Sequence, residues 1–229
     1  MEHKTLKHQI KELQDDLLTL SNWVSEAVMK STTALKDDDL DVAHAVILKD
    51  NLINSLRFEI ERGTVAVVAT QQPEGHDLRQ LTSIMDLCTE LERIGDYAKG
   101  IANIHLRSGG IGMPKVLKDL HYMANKAVDM LRRAMRAFAL EDIETARSIV
   151  REDDLIDELY EQVYFEAIDL VVDDAANIER INYVLWVAHN IERVADRTTN
   201  VCERTIFTVT GELSELSMDE MESFTAEVQ

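Results

Sequence analysis

The sequence predicts an all-α protein built as two tandem antiparallel three-helix bundles related by an internal repeat. Three observations predict it. The 229 residues include only 8 Gly and 2 Pro, with 5% aromatic and 29% charged residues, a composition that favours long helices over sheets. Apolar residues recur at spacings of three and four over segments of about 30 residues. The same order of segments then occurs twice.

The first helix is read over residues 3–35, where Leu6, Ile10, Leu13, Leu17, Leu20, Val24 and Val28 make one apolar stripe. "KDDDLD" interrupts it, and its aspartates suit the cap of the next helix. A second helix is expected from Leu40 to Ala69, with Leu48, Leu52, Leu56 and Ile60 as its core face. Pro73 and Gly75 in "QQPEGHD" oppose its continuation. A third helix runs from Asp77 to Leu106, and "RSGGIGMP" reads as a hinge between the halves. The second half opens at Pro114, a residue suited to a first helical turn. "LEDIETA" starts its second helix, and "VDDAANIE" leads into a last helix ending near Gly211.

The repeat holds residue by residue. "DLDVA" (39–43) matches "DIETA" (142–146), and "DNLINSL" (50–56) matches "DDLIDEL" (153–159), both at an offset of 103. The third helices match at an offset of 100, "LERIGDYAKGIANI" (91–104) against "IERVADRTTNVCER" (191–204). The expected units are residues 1–107 and 115–211, followed by an acidic tail, 212–229, expected to be disordered. Short connections force neighbouring helices to pack antiparallel.

The net charge is −19, from 43 acidic against 24 basic residues. That field repels nucleic acid and anionic membrane and attracts cations or basic protein surfaces. No apolar run approaches about 18 residues, and "MEHKTLKHQIKEL" lacks a signal-peptide core. A soluble, cytoplasmic protein is expected, with no membrane insertion. Cys88 and Cys202 read as buried thiols.

The repeated carboxylates carry the chemistry. Glu92 and Asp96 stand one turn apart beside the stripe of Leu87, Leu91, Ile94, Ala98 and Ile101; Glu192 and Asp196 repeat them. The second helices contribute Asp50 with Asn54, and Asp153 with Asp157, the latter beside Ile149, Ile156, Leu159 and Val163. Adjacent antiparallel helices bring each pair toward the other. Like charges at i,i+4 cost a helix about 0.2–0.5 kcal/mol per pair, so facing pairs call for a positive charge between them. A divalent or trivalent cation answers that need. Ion pairing by Arg93 and Arg193 is the competing answer.

None of the seven histidines follows a Glu by three residues, so the ligand signature of ferritin-like di-iron bundles is absent. His189, with Thr89 as its counterpart, reads as packed rather than ligating. Gly109, Gly110 and Gly112 lack the Lys-Ser/Thr of a phosphate cradle and read as linker. Trp23, Trp186 and the nine methionines read as core filling.

With two three-helix halves and a tandem acidic pair in each, the chain resembles the PhoU family of phosphate-transport accessory proteins over nearly its whole length. The resemblance implies a cytoplasmic homodimer that negatively regulates the phosphate regulon and modulates uptake. It implies the phosphate ABC transporter ATPase and the phosphate sensor histidine kinase as partners. It also implies metal ions, as iron or zinc clusters or as manganese or magnesium. Carried over by position, the sites are Asp50, Glu92 and Asp96, then Asp153, Asp157, Glu192 and Asp196. Asn54 departs from the all-acid pattern, which weakens tight metal binding at the first site. Three readings follow: a regulatory adaptor without catalysis, a carboxylate-bridged metalloenzyme, and a structural helical scaffold.

Overall fold

The computed structural model describes residues 5–112 and 114–212; the expected tail beyond 212 lies outside them. The chain folds into α1 (Leu6–Asp37), α2 (Leu40–Gln71) and α3 (Gly75–Ser108), then α4 (Pro114–Leu140), α5 (Ile143–Val150), α6 (Asp153–Asp173) and α7 (Ile178–Thr210), with a short 3₁₀ turn before α7. No strand occurs among the described residues.

The two halves make their first turns alike. Asp38 and Glu141 adopt left-handed φ of 57° and 56°. The next residues, Asp39 and Asp142, each accept a backbone N–H bond of 3.0 Å, from Val42 and Thr145, and so cap α2 and α5. Gly211 at φ 81° closes α7, its N–H bonded to the Phe207 carbonyl at 2.8 Å.

The core stripes of α1 and α3 fall where the spacing predicts: Leu17, Leu20, Val24 and Val28, and Leu87, Leu91, Ile94, Ala98 and Ile101, are fully enclosed. α2 differs. Leu48 and Leu52 are 71% and 55% exposed, and the face turned inward is Ala43, Val46, Asp50, Ile53, Ile60, Thr64 and Val67. With half-buried Arg57, these positions alternate by three and four without a break, a heptad seam that outcompetes the shorter leucine row. The seam recurs in the second half as Ala146, Ile149, Asp153, Ile156, Tyr160, Val163 and Ala167. Asp50 and Asp153 are therefore members of the seam rather than its neighbours. Trp23 and Trp186 are 39% and 51% exposed, so they do not fill the core.

The second helix of the second half is not continuous. It tightens at Arg151 and Glu152, where Glu152 N–H bonds the Ile149 carbonyl at 2.9 Å and Leu155 N–H bonds Glu152 O at 3.1 Å. Arg133 of α4 grips the Glu152 carboxylate with both guanidinium ends, one at 2.8 Å, and holds the joint in register. The seam passes through the break, so Asp153 keeps its place.

α3 and α7 form the middle of the molecule. Each packs against the helices of its own half and the two pack on each other, while α1 also meets α4. They run antiparallel: Thr208 donates to Ser83 at 2.8 Å near one end, and a side chain at Gly100 would meet Asn190 near the other. Between these points Glu90 takes Arg197 at 3.2 Å and Asn200 at 3.0 Å, and Arg204 meets Asp86 at 3.2 Å. One apolar core runs through both halves, and the glycine-rich connection is pinned to it by buried Ile111. Cys88 and Cys202 are buried and free, and burial pushes both thiols up to about 12.

Candidate metal centre

The antiparallel pairing of α2 with α3, and of α6 with α7, sets the second-helix acids against the third-helix acids. The structure gathers Asp50, Asn54, Glu92 and Asp96 in the first half. Asp50 is only 2% exposed. Its Oδ2 accepts from Asn54 Nδ2 at 3.2 Å and from Lys99 Nζ at 2.6 Å, while Oδ1 is buried without a partner. Glu92 is held above the ordinary carboxylate range by burial and by Asp96 and Asp50, with Arg57 and Arg93 pulling the other way. Burial and Asp50 raise Asp96 as well, and Lys99 opposes them.

The second half gathers Asp153, Asp157, Glu192 and Asp196, with little relief. Burial first, then Asp157, Asp196, Glu192 and Asp154, push the Asp153 carboxyl up to about 7. Glu192 is raised by burial and Asp196, partly countered by His189 and Arg193; Asp157 is raised by burial, Asp196, Asp154 and Glu161. Asp153 Oδ1 and Glu192 Oε2 are buried without a hydrogen bond.

The arginines weighed as the alternative to a metal are mostly occupied elsewhere. Arg93 pairs with Glu90 at 3.1 Å. Arg193 lies over the Tyr97 ring at 5.8 Å and reaches Asp196 only at 3.8 Å. His189 is not packed: it is exposed, with Nδ1 3.2 Å from Glu192 Oε2. Sequence reasoning missed Lys99 and Arg57. Lys99 lies three residues beyond Asp96, and Arg57 sits at the seam position after Asp50 and Ile53, so the heptad frame was the signal that could have found Arg57.

Buried carboxylate oxygens contributed by two helices are of the donor type that hard or borderline cations take. Among the described residues, no three His, Cys, Asp or Glu side chains stand close enough together to hold a metal ion.

The comparisons agree with this architecture. The family model described as the PhoU domain matches twice, over residues 17–104 and 120–205. A phosphate-specific transport system accessory protein PhoU homolog of Clostridium acetobutylicum is 30% identical over 218 residues, 95% of this chain and 100% of that protein. The accessory protein PhoU of Escherichia coli is 30% identical over 204 residues, 89% of this chain and 85% of its own. The crystal structure of the phosphate transport system regulatory protein PhoU from Streptococcus pneumoniae superposes with a TM-score of 0.85 at 33% identity, covering 93% of this chain and 100% of that one. PhoU from Pseudomonas aeruginosa gives the same TM-score at 27% identity over 91% of this chain. Two matched domains, one per three-helix half, and relatives aligned along nearly the full length mean that the chain belongs to the PhoU family.

Proposed function

We propose that the protein is a non-enzymatic accessory regulator of phosphate uptake, an adaptor between the phosphate ABC transporter ATPase and the phosphate sensor histidine kinase on the cytoplasmic side. Family membership along nearly the whole chain is the observation that carries the reading. Relatives aligned over most of their own length bear the names of phosphate-transport accessory or regulatory proteins. No helix among the described residues is long and apolar enough to cross a membrane. The homodimer belongs to the same proposal.

The charge balance supports an adaptor. At −19 the chain attracts a partner with a basic surface. Exposed apolar side chains on the outer faces of the second helices add contact area: Leu52 and Val65 on α2, with their repeat counterparts Leu155 and Ile168 on α6.

Asp153, Asp157, Glu192 and Asp196 would hold a metal ion, iron, zinc, manganese or magnesium, which supplies positive charge to carboxylates that otherwise repel. The protein's own part is to hold the donors on rigid helices. Asp153 is fixed in the seam shared by α5 and α6, between Ile149 of α5 and Ile156 of α6, and Glu192 is fixed beside fully buried Ile191. Neutralising the four charges would brace α6 against α7, the helix that also packs on the first half.

The adaptor reading is tested by pull-down of the ATPase and of the kinase across a salt series. Binding is expected at low salt and to weaken as added salt shortens the screening length below about 10 Å. No binding to either protein at low salt contradicts the reading.

A further inference from the structure

Where the two halves join, the turn between α1 and α2 meets one histidine from each half. His105, in the last turn of α3, has no exposed surface, and both its ring nitrogens are buried without a hydrogen bond. One carboxylate stops short of it: Asp38 Oδ1 lies 3.8 Å from His105 Nε2, beyond hydrogen-bond reach. Asp38 is the left-handed residue of that turn, at φ 57°. Its carboxylate rests against Gly110 of the connection between the halves, where a side-chain carbon would come within 3.4 Å of Oδ1. His121 of α4, half-buried, has its Nδ1 enclosed without a partner, and α1 packs on α4.

A neutral imidazole is tolerated in such a place. An imidazolium, with two N–H donors and a full charge, needs an acceptor or water. Burial is the first influence on both rings and holds them below the ordinary histidine value of 6.5. From the turn, Asp38 and then Asp39 pull His105 the other way. From the end of α1, Lys36 pushes His121 further down and Asp37 opposes it. On their own helices, Arg107 and Lys118 are exposed, and the connection from Gly109 to Gly112 brings no charged side chain. We propose that His105 and His121 form an acid-sensitive latch between the halves: the α1–α2 turn and the glycine-rich connection stay closed on neutral rings and open locally when the rings take up protons. As pH falls, the unfolded or locally opened chain takes the protons first. The stability lent by the neutral rings is therefore complete above about 6.5, declines below it, and levels off under each ring's folded value.

Histidine-ring NMR of the full chain from about pH 8 to about pH 5, with amide exchange corrected for its intrinsic pH dependence, tests this. Local protection is the readout because Asp153 slopes global stability the opposite way. Both rings are expected to titrate below 6.5. Protection over residues 36–40 and 105–111 is expected to fall with pH, about tenfold for each pH unit by which a ring titrates below its ordinary value, while the α1 core at residues 17–24 keeps its own. Asp38→Asn removes the carboxylate beside His105 Nε2 and should lower the value of that ring further. His105→Asn and His121→Asn should each remove part of the pH dependence, and the double variant most of it. Asp38, an exposed side chain, carries the test if the histidine variants do not fold. A His105 ring that titrates at or above 6.5, or whose value Asp38→Asn leaves in place, overturns the latch. Protection that stays constant across the pH range, or a pH dependence that survives in the double variant, overturns it as well.

Discussion

The two halves place an aspartate at the same position of the same heptad seam and then treat it differently. In the first, Asp50 is enclosed and answered by Lys99 at 2.6 Å and by Asn54. In the second, the leading influences on Asp153 besides burial are four acidic neighbours, Asp157, Asp196, Glu192 and Asp154. The difference teaches that the repeat conserves a geometry, not a solution. A carboxylate buried at a helix–helix seam must have its charge met, and a tethered ammonium and a bound cation are two ways of meeting it.

The largest expected effect lies at the second cluster. One unit charge at about 4 Å is worth roughly 4 kcal/mol at an effective dielectric near 20, most of it returned to desolvation. A net loss of about 1–2 kcal/mol per carboxylate makes Asp153→Ala with Glu192→Ala about thirtyfold to a thousandfold weaker for metal. Elemental analysis and titration check the loss, and far-ultraviolet circular dichroism should show unchanged helicity. Metal content equal to wild type removes these residues from the site.

Next in size is a pH effect confined to the second half. Asp153 titrates near 7 in the folded, metal-free chain against an ordinary value of 3.8. Above about 7 it is charged folded and unfolded, and the folded state bears the full cost. As pH falls through that value the native state takes the proton first, so stability rises and levels off near 3.8. A gain of about 2 kcal/mol from this group is expected once solvent screening of the part-buried carboxyl is allowed for, and Asp153→Asn should remove most of that slope in denaturant titrations. A slope that persists in Asp153→Asn would move the effect to another group.

Removing Lys99 sharpens the comparison from the other side. Lys99→Ala leaves Asp50 buried and uncompensated, at a cost of about 2–3 kcal/mol, or about 5–10 °C in Tm for a chain of this size. Asp50→Asn in the same chain should return much of it, whereas two additive losses would show that the pair does not act as one.

The smallest effect concerns the joint between α5 and α6. Arg133→Ala frees Glu152 and should cost about 1 kcal/mol. It should also loosen Asp153, seen as faster amide exchange over residues 151–156 with no change around Asp50. Uniform exchange along the chain would mean that the joint is held by the seam alone.

Much of the fold was legible in the sequence because each long helix repeats its apolar stripe many times over. The repeat even predicted matching capping turns at Asp39 and Asp142. The face of α2 was misread because that helix is apolar on two sides. Leu48 and Leu52 looked like core, while the seam that turned inward contains an aspartate and an arginine. The acidic pairs on α3 and α7 could be read from spacing alone. Lys99 could not, because its meaning depends on which α2 residue lies opposite, a relation between helices rather than within one. The break at Arg151 and Glu152 was equally hidden, since it depends on Arg133 from another helix.

The central claim is that the halves answer the same seam aspartate differently, Asp50 by Lys99 and Asp153 by no lysine of its own helix pair. It is tested most directly by anomalous diffraction from crystals of the full chain equilibrated with Mn²⁺. The account predicts density between Asp153 and Glu192 with none between Asp50 and Glu92, where Lys99 Nζ should remain on the Asp50 carboxylate. Equal density in both halves, with Lys99 displaced from Asp50, would contradict it.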